Sequence, residues 1–440
     1  EKGQEALKEL SKKSQQEIND IVHQMSMAAV DQHMHLAKLA YDETGRGIYE
    51  DKAIKNLYAS EYIWNSIKDN KTVGIIGEDK QKGLTYVAEP IGVICGVTPT
   101  TNPTSTTIFK AMIAIKTGNP IIFAFHPSAQ QSSKHAAKVI LEAAIKAGAP
   151  KDCIQWIEIP SIEATKQLMN HKDIALVLAT GGSGMVKSAY STGKPALGVG
   201  PGNVPTYIEK TAHIKRAVND IIGSKTFDNG MICASEQVMV VDKEVYSDVV
   251  KEFKLHHTYF VNKNELQQLE DAIMNEDKTA VKPDIVGKSA VNIAKLSGIS
   301  VPEKTKLLVA EIDGIGKDYP LSREKLSPLL AMVTAKSTRH ALQICEDTLK
   351  FGGLGHTAVI HTEDSQLQQK FGLKMKACRV LVNTPSAVGG IGNMYNELIP
   401  SLTLGCGSYG RNSISHNVSA VDLLNIKTIA KRRNNMQWFK

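Results

Sequence analysis

The chain has 440 residues, more than one ordinary hydrophobic core accommodates, so the sequence predicts two domains or more. Hydrophobic residues make up 42% and charged residues 22%, which is typical of a soluble globular enzyme, and no apolar run approaches the ~20 residues of a membrane span. The net charge of +7 suits a polyanionic small ligand. The basic residues are spread out, however, so we expect neither a nucleic acid nor a membrane as partner.

Amphipathic helices are predicted at the start of the chain, because apolar residues recur at helical spacing through residues 2–42. A β-hairpin is predicted at 72–89, where two apolar runs flank the polar turn at 78–82. From residue 91 onward, apolar strands alternate with helices. This pattern predicts parallel pairing in an open α/β sheet, with ligands bound beyond the carboxyl ends of its strands. The predicted strands of this part are 91–97, 120–125, 153–159 and 174–179, and the predicted helices are 104–117, 128–148 and 162–170.

The second half of the chain predicts a further α/β unit with a less regular pattern. The tail after residue 422 is polar, yet it ends near Trp438 and Phe439, two large apolar side chains that favour burial against a neighbour. Since the chain starts at Glu1 and not at Met, we expect it to be a piece of a longer protein. The predicted strands of this half are 237–241, 359–361 and 379–382, and the predicted helices are 212–224 and 245–254.

Six cysteines are scattered through the chain without the spacing of disulfide pairs or metal ligands. This usage is typical of a reducing compartment, so a cytoplasmic location is predicted. The histidines form no H-x-x-H or H-E-x-x-H pattern, and we therefore expect no metal site. The cysteines are Cys95, Cys153, Cys233, Cys345, Cys378 and Cys406.

Cys233 is the candidate nucleophile. It lies in a run of mostly small or uncharged residues, 227–237, just after the turn signal formed by Asn229 and Gly230. A thiol in such a loop is accessible to a substrate, and the backbone N–H groups around it can face a developing oxyanion. The alternative is an inert buried thiol, which is the commoner role of a free cysteine.

Two further loops follow predicted strands. In the loop at 98–103, Asn102 is held stiffly between Pro99 and Pro103, although an asparagine that caps a turn would show the same pattern. The turn at 181–184 opens a helix, so its backbone N–H groups could bind a phosphate. The dinucleotide fingerprint G-x-G-x-x-G is not met there, and a plain tight turn is the alternative.

Taken in order, these loops and two later motifs resemble the aldehyde dehydrogenase superfamily over essentially the whole chain. The resemblance implies an α/β fold with an open, mostly parallel nucleotide domain, a second α/β catalytic domain and a small projecting β-hairpin or sheet. The segments that carry it are the oxyanion loop 99–103, the nucleotide turn 180–184, the Cys loop 230–237, the E-x-F-G-P position 324–328 and the Y-G-L-x-A position 353–358.

The resemblance also implies domain boundaries. Residues 1–71 and 90–208 would form the NAD-binding domain, and residues 209–412 the catalytic domain with the Cys loop. Residues 72–89 and 413–440 would form a bridging or oligomerisation hairpin and a C-terminal linker. Self-association into a homo-oligomer through this hairpin follows as an expectation.

Two departures from the superfamily pattern match its CoA-acylating branch. Hydrolytic members carry a glutamate general base in E-L-G-G-K, whereas 198–202 has no carboxylate, so activation of water is harder. His356 stands where hydrolytic members usually have a small residue. The segments 201–203, 383–386 and 403–415 further resemble the aldehyde dehydrogenase half of the bifunctional aldehyde-alcohol dehydrogenases of fermenting microbes, in which an iron-dependent alcohol dehydrogenase domain follows.

The resemblance implies reversible conversion of acetyl-CoA and NADH into acetaldehyde, CoA and NAD through a thioester on Cys233, as part of fermentative ethanol formation. The Asn102 amide and the Cys233 backbone N–H would bind the oxyanion, one such donor being worth roughly 3–4 kcal/mol. His356 would manage the proton of the CoA thiol, since only histidine titrates readily near pH 7, with a core histidine as the alternative. Glu324 would bind the nicotinamide ribose hydroxyls, with a helix-capping carboxylate as the alternative.

NAD is the implied cofactor, with coenzyme A as acyl donor and acceptor. Many superfamily members have Lys-Pro-x-Glu after the second strand, where the carboxylate selects against a 2′-phosphate. The corresponding segment 126–129 lacks that carboxylate, so NADP stays open as well. The implied cofactor-binding residues are Thr98, Pro99, Thr100, His126, Gly181, Gly182, Ser183, Gly200, Glu324 and Pro328.

Two other functions stay open at this point. One is a hydrolytic or phosphate-dependent semialdehyde dehydrogenase, of which the missing glutamate disfavours the hydrolytic form. The other is a mainly structural filament subunit, since the bifunctional family assembles into helical filaments and the hairpin at 72–89 offers a pairing edge. Every catalytic motif is present in the chain, which favours an enzyme over a scaffold.

Overall fold

The structure is a computed structural model that describes residues 1–433. These residues form two parallel sheets covered by helices and one small antiparallel sheet. The α/β fold class predicted from the sequence is confirmed. The end of the predicted C-terminal linker, including Trp438 and Phe439, lies outside the described residues. Over residues 1–433, none of the helices combines the length and apolar character needed to cross a bilayer.

The helices predicted for residues 2–42 are present. The second of them begins with a capping box, in which the side chains of Ser14 and Glu17 each accept the other's backbone N–H. The apolar stripe between Ile18 and Met25 is buried against the helices of the first parallel sheet. The N-terminal helices are α1 Lys2–Leu10, α2 Gln15–Asp31, α3 His33–Thr44, α4 Tyr49–Leu57 and α5 Ile63–Ile67, with one π-helical turn, Tyr58–Tyr62, between the last two.

A β-hairpin follows these helices, as predicted for 72–89. Its strands, β1 Gly74–Asp79 and β2 Leu84–Pro90, pair antiparallel, and the later strand Leu424–Ala430 joins the free edge of β2. The hairpin and the strand at 424–430 therefore form one small sheet, within the segments predicted to bridge or oligomerise. Self-association through this sheet stays a prediction. Its exposed apolar side chains are Ile75, Ile426 and Ile429.

Residues 93–199 form the first parallel sheet with its helices. The strands are β3 Val93–Val97, β4 Ile121–Ala124, β5 Ile154–Trp156, β6 Ile174–Thr180 and β7 Ala196–Val199, and the helices are α6 Pro103–Lys116, α7 Gln130–Lys146, α8 Ile162–Asn170 and α9 Ser183–Tyr190. The strand order is β5-β4-β3-β6-β7. The chain adds β4 and β5 on one side of β3 and then crosses to add β6 and β7 on the other side, so the order of the strands reverses between β3 and β6. Open α/β sheets bind ligands at such a point, beyond the carboxyl ends of the strands.

The second parallel sheet takes up most of the remaining described chain. Its strands are β8 Val204–Ile208, β9 Glu236–Asp242, β10 Thr258–Val261, β11 Leu307–Glu311, β12 Leu329–Ala335, β13 Gly355–His361 and β14 Ala377–Val382. Its helices are α10 Ile214–Thr226, α11 Tyr246–Leu255, α12 Lys263–Ile273, α13 Ala290–Leu296, α14 Thr338–Gly352, α15 Ser365–Lys374 and α16 Ser386–Ile391. The strand order is β10-β11-β12-β9-β8-β13-β14, with all neighbours parallel.

The strand at 204–208 belongs to a different sheet from the one that the sequence-based boundary implies. That boundary placed residues 90–208 in the first unit, whereas β8 pairs with β9 and β13 inside the second sheet. The link between β7 and β8 covers only residues 200–203, too few for a helix, so the chain passes directly from one sheet to the other. Sheet membership therefore changes at 200–203.

Candidate active site

A cleft of about 250 Å³ lies between the two parallel sheets. On one side it is bounded by the loops at the carboxyl ends of β3, β6 and β7, and on the other by the segments that precede β9 and β12. The predicted site residues that line the cleft are Pro99, Thr100, Asn102, His126, Gly181, Gly182, Gly200, Cys233 and Glu324. The fold thus brings together most of the residues that the sequence motifs single out.

The segment before Cys233 bends sharply because three successive residues adopt left-handed backbone conformations. Asp228, Asn229 and Gly230 have φ values of 48°, 51° and 75°. Asp, Asn and Gly enter this region at lower cost than other residues, which explains why the sequence carries this triplet here. The bend buries Met231 and leaves Cys233 half-buried at the cleft.

Asp228 anchors this bend to the N-terminal helices. Its carboxylate accepts hydrogen bonds from the Ile48 N–H at 2.7 Å, the Lys52 ammonium at 3.1 Å and the Lys55 ammonium at 2.5 Å. Its own N–H donates to the Asp51 carboxylate at 2.7 Å. Removal of one partner from a buried charge cluster leaves the others uncompensated, so this cluster holds the bend in place.

The Cys233 thiol is protonated in the free protein. Burial raises its pKa to about 12, the Glu324 carboxylate acts in the same direction, and Arg379 opposes both. The cysteine forms no disulfide. Since the thiolate is the nucleophilic form, the thiol has to lose its proton when it reacts.

Asn102 is positioned by the loop that follows β3. It occupies the N-cap position of α6 with Pro103 as the first helical residue, which fixes the end of the loop. Its amide oxygen accepts from Lys55 Nζ at 2.6 Å, and its amide N–H₂ donates to Thr101 Oγ1 at 3.2 Å and to the Met231 carbonyl at 3.3 Å. The side chain does not cap the helix. Its N–H₂ group instead faces the Cys loop, as an oxyanion donor requires.

Glu324 reaches into the cleft from the segment that precedes β12. Its Oε1 accepts from the Gly202 N–H at 2.9 Å, which ties the second sheet to the link between the sheets. Burial raises the pKa of this carboxyl to about 7, against the opposing effects of that hydrogen bond, Lys225 and Lys325. Its other oxygen makes no hydrogen bond within the described part of the chain and is open to a ligand hydroxyl.

His356 is brought close to the Cys loop but does not line the cleft. It is fully buried at the start of β13, with Nδ1 2.9 Å from Thr357 Oγ1 and with no partner for Nε2 among residues 1–433. Burial and the charge of Arg379 lower its pKa well below the ordinary value, whereas the predicted proton-transfer role rested on ready titration near pH 7; that role stays a prediction. A Cβ built on Gly202 would lie 3.1 Å from its ring and 2.2 Å from the Cys233 carbonyl oxygen.

The first-sheet side of the cleft has features of a nucleotide site. Thr100 and Thr180 line it, and each has a buried hydroxyl oxygen without a partner among the described residues, which favours a polar ligand. Gly182 precedes α9 as its N-cap, and apart from its chain neighbours no described atom lies within 4 Å of the position of its Cβ, so the N–H groups at this helix start are open to a phosphate. His126 is exposed beside them, and its Nδ1 accepts from the Ser128 N–H at 3.1 Å.

Three predicted cofactor-binding residues have less support from the geometry. Thr98 is buried with an unpartnered hydroxyl oxygen, but it does not line the cleft. Pro328 is buried just before β12, where its carbonyl accepts from the Leu308 N–H at 3.0 Å, and it does not line the cleft either. Ser183 is the first residue of α9, and its side chain lies outside the described part of the structure.

A second groove, of about 490 Å³, adjoins the cleft at Gly200. It runs between α9 and the segments 350–354 and 406–412. The exposed basic side chains of Lys187 and Arg411 line it. A basic groove that adjoins the cleft suits an anionic substrate.

Several residues of the cleft were not predicted from the sequence. Lys55 belongs to a short helix that reads as an ordinary amphipathic surface element, and only its position on the buried face of α4 indicates a special role. Thr180 falls in the nucleotide turn 180–184, but it was not among the predicted cofactor-binding residues. The unpredicted apolar lining residues near the end of the chain are Ile391, Leu402 and Leu404, of which only Leu404 falls in a segment that carries the resemblance.

Comparison with known proteins gives one consistent family. Residues 1–393 match the model of the aldehyde dehydrogenase family. The chain is 57% identical to the aldehyde-alcohol dehydrogenase of Streptococcus pneumoniae serotype 4, over 94% of this chain and 48% of that protein. An acetylating aldehyde dehydrogenase from Geobacillus thermoglucosidasius has a crystal structure with a TM-score of 0.97 at 47% identity, covering 99% of this chain and 96% of that one.

A more distant structure is also informative. The propionaldehyde dehydrogenase of Rhodopseudomonas palustris, solved with bound CoA and an acylated cysteine, has a TM-score of 0.85 at 27% identity and covers 98% of this chain and 95% of that one. The chain spans about half the length of the aldehyde-alcohol dehydrogenases it matches. Since the family model covers most of the sequence and the fold is shared along nearly the whole chain, the chain belongs to the aldehyde dehydrogenase family.

Proposed function

We propose that this chain is a CoA-acylating acetaldehyde dehydrogenase, which interconverts acetyl-CoA and acetaldehyde with a nicotinamide cofactor. The observation that carries the proposal is the composition of the cleft. The half-buried Cys233 thiol lies in the same cleft as the Asn102 amide, whose N–H₂ group faces the Cys loop. Among the lining residues within 1–433, Glu324 is the one carboxylate, and it already accepts a hydrogen bond from the Gly202 N–H. Without a dedicated base, water is poorly activated against a thioester, so a thiol acceptor takes its place.

Only a few groups of the chain take part in the proposed reduction of acyl-CoA. The Cys233 sulfur attacks the acyl carbon, a new C–S bond forms, and CoA leaves as its thiol with the proton that Cys233 gives up. The oxyanion accepts from the Asn102 amide and the Cys233 N–H; loss of one such donor costs roughly 3–4 kcal/mol in enzymes. The cofactor, when bound, supplies a hydride to the acyl carbon. Collapse of the resulting hemithioacetal releases acetaldehyde and the Cys233 thiolate, which takes up a proton again.

The groups that would bind the cofactor lie along the first-sheet side of the cleft. The helix start after Gly182 offers N–H groups to its phosphates, and the Thr100 and Thr180 hydroxyls offer bonds to its polar atoms. The free oxygen of Glu324 would accept from the nicotinamide ribose. We propose NAD on the resemblance to the fermentative branch. The segment 126–129 has no carboxylate that would repel the 2′-phosphate of NADP, so the assay tests both NAD and NADP.

Coenzyme A fits the basic groove beside the cleft. Lys187 and Arg411 would attract its phosphates, and the opening at Gly200 would admit its thiol arm. His356 is proposed to receive the proton exchanged between the Cys233 and CoA thiols, because its buried Nε2 lacks a partner among the described residues. Since its pKa is lowered, it acts from the neutral form. The relative with bound CoA and an acylated cysteine supports the substrate class.

The intact protein is proposed to be longer than this chain. Because the chain covers about half of its aldehyde-alcohol dehydrogenase relatives, an iron-dependent alcohol dehydrogenase domain would follow and reduce acetaldehyde to ethanol in the cytoplasm. The small antiparallel sheet would join copies of the chain into an oligomer or filament.

The experiment that tests the proposal measures nicotinamide turnover by the purified chain with and without CoA. We expect steady NADH oxidation with acetyl-CoA and steady NAD reduction with acetaldehyde plus CoA. Without CoA, at most one NADH per Cys233 should form before the reaction stalls. A series of aldehydes of increasing length then defines the preferred substrate, and NADP in place of NAD defines the cofactor.

Two outcomes would contradict the proposal. Steady acetate formation without CoA would mean that Glu324 or another group activates water, and the hydrolytic function would hold. Absence of turnover with every acyl-CoA and aldehyde, in a chain that folds, would favour a structural role.

A further inference from the structure

Lys55 is a buried lysine in contact with both halves of the oxyanion site. It lies on α4, and its side chain is 4% exposed. Each of its three N–H groups has one acceptor: Asn102 Oδ1 at 2.6 Å, Asp228 Oδ2 at 2.5 Å and the Met231 carbonyl at 3.3 Å. One ammonium group therefore bonds the amide of the loop after β3 and the backbone of the Cys loop at the same time.

This contact determines which way the Asn102 amide points. An ammonium group only donates hydrogen bonds, so the amide atom that it contacts has to be the oxygen. The amide N–H₂ is then directed toward the Cys loop, where its bonds to Thr101 Oγ1 and the Met231 carbonyl measure 3.2 and 3.3 Å. Bonds of this length are weak, so an oxyanion can replace them at small cost. The positive charge behind the amide also polarises its N–H groups.

We propose that Lys55 is a positioning residue for the oxyanion site: it orients the Asn102 amide and places a buried positive charge behind it. The inference rests on the proposed function and deepens it. Preorganised donors and charges in a site shielded from water stabilise a developing oxyanion more than they stabilise the neutral carbonyl. Loss of Lys55 should therefore lower the rate of acylation and leave substrate binding largely unchanged.

Lys52 provides a matched control on the same helix. It is also 4% exposed and also donates to Asp228 Oδ2, at 3.1 Å. It also donates to the Thr101 carbonyl at 3.5 Å, but within the described residues it makes no hydrogen bond to the Asn102 amide. A role of Lys55 that is only structural, through Asp228, would make Lys55→Met and Lys52→Met behave alike.

The test uses acylation of Cys233 by p-nitrophenyl acetate, which needs neither CoA nor a nicotinamide cofactor. The thiol takes the acetyl group and p-nitrophenol is released, so a single turnover is read by its colour. Lys55→Met should lower this rate by about 10- to 100-fold, and Lys52→Met, which weakens only the Asp228 anchor of the bend, should lower it clearly less. Asn102→Ala should lower it by roughly 10²–10³, and adding Lys55→Met to Asn102→Ala should cost little more, because the two residues act as one unit.

Alkylation of Cys233 by iodoacetamide separates positioning from general disorder of the loop. Displacement at iodoacetamide forms no oxyanion, so Lys55→Met should alkylate within about threefold of the wild-type rate. Lys55→Gln keeps a donor for Asn102 Oδ1 without the charge, and it should retain more acylation than Lys55→Met. This second variant also serves where the methionine variant does not fold.

Three results would overturn the inference. These are equal loss of acylation in Lys52→Met and Lys55→Met, a parallel loss of alkylation, or a double variant whose losses multiply. Absence of CoA-dependent turnover in the wild type would instead refute the proposed function, while the ester assay would still decide the role of Lys55.

Discussion

Gly202 is the position where one added methyl group should do most damage to this site. Its backbone does not have a positive φ, so alanine would be tolerated by conformation alone. The Cβ of Gly202→Ala, however, would lie 2.2 Å from the Cys233 carbonyl oxygen and 3.1 Å from the His356 ring. Real Cβ atoms essentially never come within 3.0 Å of such an atom, so the Cys loop or the link has to retreat by 0.8 Å or more.

The size of the effect follows from that displacement. Overpacking of a closely packed interior costs about 1–3 kcal/mol of unfolding free energy. A misplacement of about 1 Å at reacting groups costs roughly 10²-fold in rate. The Gly202 N–H also donates to Glu324, so the retreat should also weaken the nicotinamide ribose contact proposed for that carboxylate. We therefore expect a loss of rate larger than the loss of stability would suggest.

The assay combines thermal unfolding with single-turnover acylation of Cys233. Gly223→Ala is the control, because it adds the same methyl group at an exposed position of α10 with no atom within 4 Å. That variant should keep its activity and gain roughly 0.5–1 kcal/mol, since alanine is the better helix residue. A Gly202→Ala variant with wild-type acylation would refute the reasoning, because the Cys loop would then not depend on this close packing.

The same site supports four further predictions. Cys233→Ala should abolish acyl-CoA reduction and aldehyde oxidation, and more than about a percent of residual activity would remove it as the nucleophile. Asn102→Ala should lower kcat by roughly 10²–10³ with an unchanged fold by circular dichroism, and a wild-type kcat would exclude it from the oxyanion site. The rate of Cys233 alkylation should rise about tenfold per pH unit from pH 7 to 10 without a plateau, because the pKa of the thiol is raised to about 12. Glu324→Gln should move this pH profile to lower pH, since a negative charge that disfavours the thiolate is lost. An unmoved profile would contradict the effect of Glu324 on the thiol. Removal of residues 74–86 should give a monomer in sedimentation with cofactor affinity nearly intact, and a full-length chain already monomeric at micromolar concentration would refute the bridging role.

The alternating first half of the chain could be predicted because its strands are short apolar runs bounded by turn residues. The pattern predicts a strand at 91–97 and the structure has Val93–Val97; it predicts one at 174–179 and the structure has Ile174–Thr180. β8 carries no such signal because Pro205 lies inside it, and proline normally argues against a central strand. The register shifts between Val204 and Pro205, so the ladder accommodates the proline at an irregular position.

The chemistry of the site was more predictable than its electrostatics. Asn102, Cys233 and Glu324 stand in short motifs that occur in a fixed order along the chain, so the motifs identify them. Burial is set by the tertiary fold, and a sequence gives little warning of it when the residue is charged, because lysine is almost always expected at the surface. Lys55 was missed for this reason, and the role predicted for His356 rested on ready titration near pH 7, whereas the fold buries that ring completely and lowers its pKa.

The link at 200–203 shows how the two sheets produce one site. It leaves the carboxyl edge of the first sheet and enters the second, where Asn203 Nδ2 donates to the Ser322 carbonyl at 2.9 Å and the Thr348 carbonyl at 3.1 Å. The link is thereby fixed between the thiol and the nucleotide side, with open space of more than 4 Å around the Cβ position of Gly200. The glutamate of E-L-G-G-K corresponds to Gly198 in β7, where a Cβ would lie 3.0 Å from Tyr190 and 3.1 Å from Val186. The stretch 198–202 therefore offers no carboxylate to activate water, and at Gly200 it leaves open space between the cleft and the basic groove, through which the thiol arm of CoA is proposed to enter.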